Sequence, residues 1–145
     1  RPSIVCIVDE LTAPAAMPYQ WLLHAHNAFD LDEGAQALVS RKDSEAMTVR
    51  LFTPGGFAFH QTDAWPMDPK EGFPNAKAPI PEKQWHFTAS TRDKTPARRI
   101  AAVMLANDGG LAPDCDVTRD GDTIEIRDKH LGQELLGVLK NFANL

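Results

Sequence analysis

Tyr19-Gln20-Trp21-Leu22-Leu23-His24-Ala25-His26 is the stretch on which the fold turns. Successive side chains of an extended strand point to opposite faces. Trp21, Leu23 and Ala25 therefore share one face, and Gln20, Leu22, His24 and His26 the other. A bulky apolar face set against a more polar one marks a strand half-buried in a sheet. His24 and His26 stand two residues apart, with their roots about 6.6 Å apart along the strand.

The same reading extends in both directions. Ile4 to Val8 is apolar on both faces and predicts a buried central strand, while Asp9 to Pro18, carrying Pro14 and Pro18, predicts a connection. After an acidic turn at Asp30, Asp32, Glu33 and Gly34, a short strand is expected over Gln36 to Lys42. Ala46 to Thr53 alternates Met47, Val49 and Leu51 against Thr48, Arg50 and Phe52. Pro54-Gly55-Gly56 and the return through Phe57 to Thr62 then predict a hairpin. From Asp63 to Gln84 the alternation is lost. Pro66, Pro69, Pro74, Pro79 and Pro81 fall there with Trp65 and Phe73, which predicts an ordered segment, either a functional loop or a packed arm.

Alternation returns at Trp85, with Phe87 and Ala89 on its face and His86, Thr88 and Ser90 on the other. Ala97 to Ala106, apolar on both faces, predicts a second central strand. Val117 to Arg119 and Thr123 to Arg127, around Asp120-Gly121-Asp122, predict a second hairpin. In the tail, Leu131, Leu135, Val138, Leu139 and Phe142 fall near helical spacing and predict a short C-terminal helix, although Gly132 and Gly137 count against it. Eight or nine short strands with no interleaved helices define an all-β chain, an antiparallel β-sandwich.

A chain of 145 residues has room for one such domain, 1–145, and its 43% hydrophobic content suits a packed globule rather than a disordered chain. No apolar run approaches the roughly 20 residues of a membrane helix. The formal net charge is −5 and no basic run exceeds Arg98-Arg99, which argues against nucleic acid or an anionic membrane as partner. Two cysteines, Cys6 and Cys115, are too few for a disulfide scaffold. Cys6 sits in an apolar strand pattern and is expected as a buried free thiol, with a Cys6–Cys115 bridge as the alternative. The chain opens on Arg1 rather than Met, so a processed product or a piece of a longer protein is expected.

Chemistry concentrates on the histidines. His24, His26 and His86 all lie on strand faces opposite bulky apolar residues. Two imidazoles so placed can converge on one metal, or divide between a metal and a substrate. Zn²⁺ takes nitrogen and carboxylate donors in a tetrahedral set. With no thiolate nearby, Asp43 is a candidate third ligand, and His60 or His86 could complete the set. The alternative is ordinary surface histidines on a half-solvated sheet. Ser40, Ser44 and Ser90 lack a G-x-S-x-G elbow, and the two Gly-Gly pairs read as turns. Trp65, Trp85 and Phe73 can stack on sugar rings or simply pack in the core. Arg92, Lys94, Arg98 and Arg99 form the densest cation cluster, facing either an acidic sugar or solvent.

Ile4-Val5-Cys6-Ile7-Val8-Asp9-Glu10-Leu11 followed by Tyr19 to His26 resembles the β-sandwich domain of heparinase II/III-type polysaccharide lyases. Val49 to Pro54 and Trp85 to Ser90 follow in that family's order, and the resemblance runs to about Ala106. It implies a C-terminal β-sandwich behind an α/α toroid domain upstream of Arg1, in a periplasmic or extracellular enzyme. Such enzymes cleave acidic, uronic-acid polysaccharides by β-elimination. The resemblance further implies His24 as the catalytic histidine reaching the cleft. It implies a structural zinc on His26, Asp43 and His86, with His60 as a substitute for the last. Substrate contacts are expected from Trp65 and Arg92. Because a β chain of this length cannot include the toroid, the chain alone is not expected to cleave anything. The competing expectation is a stand-alone carbohydrate-binding or interaction sandwich using Trp65 and Phe73. A metal-dependent enzyme complete in itself, built on His24 and His26, is a third.

Overall fold

The structure is a computed structural model that describes residues 3–65, 67–72, 83–107, 115–121, 123–128 and 135–139. The strands among them are β1 (Ser3–Met17), β2 (Gln20–Ala25), β3 (Asp30–Asp32), β4 (Ala37–Lys42), β5 (Glu45–Phe52) and β6 (Phe57–Thr62). After one helical turn, α1 (Pro69–Gly72), come β7 (Trp85–Thr91), β8 (Thr95–Asn107), β9 (Cys115–Asp120), β10 (Thr123–Asp128) and β11 (Leu135–Leu139). All pairings are antiparallel. A five-stranded sheet runs β1-β8-β5-β4-β3, and two three-stranded sheets run β2-β7-β6 and β11-β10-β9. The expected all-β sandwich is present, with a further small sheet packed on it.

Two clusters of buried side chains show how the sheets stack. Trp21, Phe57, Phe87 and Ala89 from the β2-β7-β6 sheet pack with Leu38, Val49, Leu51, Ile100 and Ala102 from the five-stranded sheet. On the other face of that larger sheet, Ala101, Val103 and Leu105 pack with Val117, Ile124 and Ile126 of β9 and β10. Strand β8 thus contributes alternate residues to two cores, which is why Ala97 to Ala106 is apolar on both sides. Each fully buried Leu, Ile, Val or Phe contributes about 1.5–3 kcal/mol.

Several expectations need correction. Strand β1 is not a buried central strand ending at Val8. It lies at the sheet edge and pairs with β8 from Ser3↔Ala106 to Thr12↔Ala97, then again at Met17↔Thr95 after an irregularity. Pro14 falls inside that irregularity, where a missing N–H breaks no regular ladder. Val5, Ile7 and Val8 are exposed, and Cys6 is exposed and free rather than buried or bridged.

Strands β5 and β6 do not form a hairpin. Strand β5 pairs with β4 and β8, β6 pairs with β7, and Pro54-Gly55-Gly56 carries the chain from one layer to the other. Gly55 and Gly56 both take positive φ, 77° and 71°, a backbone path that side-chain-bearing residues resist. Gln36 anchors the crossing: Phe57 N donates to its Oε1 at 2.6 Å, and its Nε2 donates to Phe57 O at 3.1 Å. The hairpin here is β4–β5, which turns at Asp43 and Ser44 with Asp43 at φ 51°.

The tail at Leu135–Leu139 is a strand, not a helix. It pairs with β10 in the register Ile124↔Leu139, Glu125↔Val138 and Ile126↔Gly137. Gly137 disfavours helix, whereas an apolar run this short satisfies a strand as well as a helical stripe. Leu131, Gly132 and Phe142 lie outside the described residues. The β9–β10 hairpin forms as expected, closing at Asp120↔Thr123 with Gly121 at φ 54°.

Candidate functional site

The outer face of the β2-β7-β6 sheet carries the histidines. Trp21 and Phe87 fill the core below, so the intervening residues must point away from it. The register sets His24 opposite His86, and Thr62 opposite His86 on the other flank. One step along, Leu22, Thr88 and His60 line up across the same face, and beyond them Gln20 Nε2 donates to Ser90 Oγ at 3.2 Å. The result is a ledge of imidazole, hydroxyl and amide groups with exposed Leu22 in its midst.

At one end of the ledge the rings form a chain. The His24 and His86 centroids are 4.5 Å apart with planes inclined at 68°. Trp65 meets the other side of His86 at 5.2 Å and 76°. His24 is exposed, while His86 Nε2 and Trp65 Nε1 are removed from solvent and have no hydrogen-bond partner. The Lys83 ammonium donates to Asp63 Oδ2 at 2.7 Å, tying the end of β6 to the approach to β7. That bond holds the Asp63 carboxyl below its usual range and lifts the Lys83 ammonium above its own. That bond joins the described residues on either side of the long loop, close to where Trp65 meets the sheet. Phe73, expected as a binding platform, lies outside the described residues.

The other expected site residues are spread out. His26 follows the last residue of β2 and is exposed, and Asp43 is exposed in the β4–β5 turn. Asn27 Nδ2 donates to Arg41 O at 2.8 Å, which brings the chain beside His26 towards the chain beside Asp43. No group of three or more His, Cys, Asp or Glu able to hold a metal occurs among the described residues. The donors named for zinc are therefore not grouped in this arrangement, and His86 is engaged with His24 and Trp65 instead. Arg92 lies beyond the far end of β7, about 20 Å along the strand direction from His86. Its Nε donates to Phe57 O at 3.0 Å and its fork pairs with Glu33. Arg98 is buried, donating to Pro54 O and to Asp93, and Arg99 pairs with Glu10. The cation cluster is largely a set of structural ties.

His60, expected only as a reserve metal ligand, joins the histidine face through the β6–β7 pairing. One feature was not read from the sequence. Arg50 lines a separate pocket, and its signal was a charge at the centre of an apolar strand.

A structure search gives the expected likeness at the level of fold. A solved structure described as a heparinase III gene product superposes with a TM-score of 0.59 at 16% identity, covering 95% of this chain. The chain spans 20% of the length of that protein. No family profile matches the chain, and no curated protein matches it by sequence. No helix among the described residues is long and apolar enough to cross a membrane.

Proposed function

We propose that this chain is the β-sandwich portion of a larger heparinase-like polysaccharide lyase, and that the histidine ledge forms one wall of its saccharide cleft. The observation that carries this reading is the His24–His86–Trp65 ring chain, with an exposed imidazole beside two polar ring atoms that lack partners. The exposed His24 imidazole can bond a sugar hydroxyl, and the part-exposed Trp65 ring offers an apolar surface to a pyranose.

β-Elimination on a uronate sugar needs three things. A positive or hydrogen-bonding group must hold the carboxylate, a base must take the C5 proton, and an acid must protonate the leaving oxygen. In this reading His24 contributes a hydrogen bond near the scissile linkage, and His86 and Trp65 fix its ring. The remaining groups come from an α/α toroid domain, so the chain alone binds without cleaving. Periplasmic or extracellular placement belongs to the same proposal. Zinc enters only as a structural ion on His26, Asp43 and His86, side chains not grouped as described, and no step is routed through it. Metal analysis of the purified protein tests that part: stoichiometric zinc supports it and zinc-free protein removes it.

Calorimetric titration with uronic-acid and neutral oligosaccharides tests the whole. Preferential binding of the acidic sugar, weakened about tenfold or more by His24→Ala, supports it, since one charge-assisted hydrogen bond is worth that much. Preference for neutral glycans, lost on Trp65→Ala and kept on His24→Ala, overturns it in favour of a stand-alone carbohydrate-binding sandwich.

A further inference from the structure

On the opposite side of the five-stranded sheet from the histidines, an open pocket of about 400 Å³ lies in the seam between β5 and β9. Gln36, Arg50, Phe52, Val117, Thr118 and Arg119 are among its lining residues. Arg50 is the anomaly. It sits mid-strand between buried Val49 and Leu51, on the face that carries Thr48 and Phe52. Its cross-strand neighbours are Ala37 and Val103, neither of which can pair with a guanidinium. Its Nε is removed from solvent, and among the described residues it has no hydrogen-bond partner and no ion pair forms to it. Most arginines of the chain around it are committed to a carboxylate or a backbone carbonyl, as Arg92, Arg98 and Arg99 show.

A part-buried guanidinium without an anion is costly, because desolvation is not offset by pairing. Arg119 also lines the pocket, and its Nε donates to Gly121 O at 3.0 Å. Thr118 adds a hydroxyl and Val117 and Phe52 an apolar floor. We propose that this seam is an oxyanion-binding site centred on Arg50, taking a carboxylate or a sulfate, free or carried on a single sugar. Guanidinium forks match both groups in two-bond geometry. The volume lies at the small end of ligand pockets, which suits a monosaccharide-sized anion rather than a polymer. The site shares no residue with the histidine ledge and stands whether or not that ledge binds saccharide.

Amide NMR titrations at constant ionic strength with sodium sulfate, sodium glucuronate and uncharged glucuronate methyl ester test the proposal. Saturable shifts at Gln36, Thr118 and Arg119 are expected with sulfate or glucuronate and not with the ester. Sulfate alone identifies a free anion site, and glucuronate binding more tightly than sulfate identifies a sugar acid. Arg50→Gln should weaken the binding at least tenfold, while His24→Ala leaves it unchanged. If Arg50→Gln does not fold, Arg119→Gln carries the same comparison. Non-saturable shifts, or equal affinity in the wild type and the arginine variant, overturn the assignment.

Discussion

His24 and His86 stand directly opposite each other on β2 and β7, with ring centres 4.5 Å apart and planes inclined at 68°. Edge-to-face contact of this kind lets one ring present its positive edge to the other's face. The pair is braced on the far side by Trp65, so the exposed ring of His24 is held against a wall of aromatic carbon rather than swinging in solvent. A hydrogen-bonding group that must meet a sugar oxygen benefits from such restraint, since less rotamer freedom is lost on binding.

His86→Phe separates the packing of that ring from its polarity. Phenylalanine keeps contacts with His24 and Trp65 and removes the unpaired Nε2, so stability should change by about 1 kcal/mol or less. His86→Ala leaves a gap beside Trp65 and should cost more. Urea denaturation of both variants checks the order, and equal losses would mean that the ring's volume contributes little.

Gly55→Ala tests the layer crossing. A Cβ there would approach Asp93 Oδ1 to 3.1 Å on a backbone already at φ 77°. The left-handed conformation alone costs a side-chain-bearing residue about 1–2 kcal/mol. Gly121→Ala meets nothing within 4 Å and should bear only the conformational part. Thermal melts should therefore place Gly55→Ala below Gly121→Ala.

The faces of individual strands were legible because alternation is local: Trp21 and Phe87 turn inward and His24 and His86 outward, as the period requires. Partnership between strands was not. Pro54-Gly55-Gly56 has the composition of a hairpin turn, and only the burial of Phe57 against the opposite sheet reveals a crossing. Ile4 to Val8 and Ala97 to Ala106 share an apolar pattern, yet one is an edge with Val5 52% exposed and the other a doubly covered centre. Histidine grouping depends on register, which sets His86 against His24 and leaves His26 past the end of the ladder. The likeness to a heparinase sandwich was readable from the order of strand motifs, whereas ligand grouping was not.

The Asp93–Arg98 pair gives the chain a specific acid sensitivity. Hydrogen bonding to Arg98, helped by its charge and opposed by burial, holds the Asp93 carboxyl below its usual range in the folded state. The unfolded chain therefore binds the proton first. Stability from the pair is full above the ordinary carboxylate value of 3.8 and is lost as pH falls through the lower folded value. Asp93→Asn should lower stability at neutral pH and flatten this part of the acid limb. Melting temperatures from pH 7 down to pH 2 check it; an unchanged slope would assign the acid limb to other carboxylates.

Gln36 tests whether one side chain fixes the approach to β6. At φ 51° it sits in strained backbone, and its amide both accepts from Phe57 N and donates to Phe57 O and Glu33 O. Phe57 is fully buried, so an unpaired backbone N–H there has little water to turn to. Gln36→Ala should cost about 1–3 kcal/mol by chemical denaturation. Gln36→Glu keeps the acceptor for Phe57 N but sets a carboxylate oxygen against two carbonyls, so at neutral pH it should also destabilise. If Gln36→Glu matched the wild type while Gln36→Ala fell, the bond from Phe57 N would be the one that matters. If neither moved, the crossing would be held by Gly55, Gly56 and the burial of Phe57 alone.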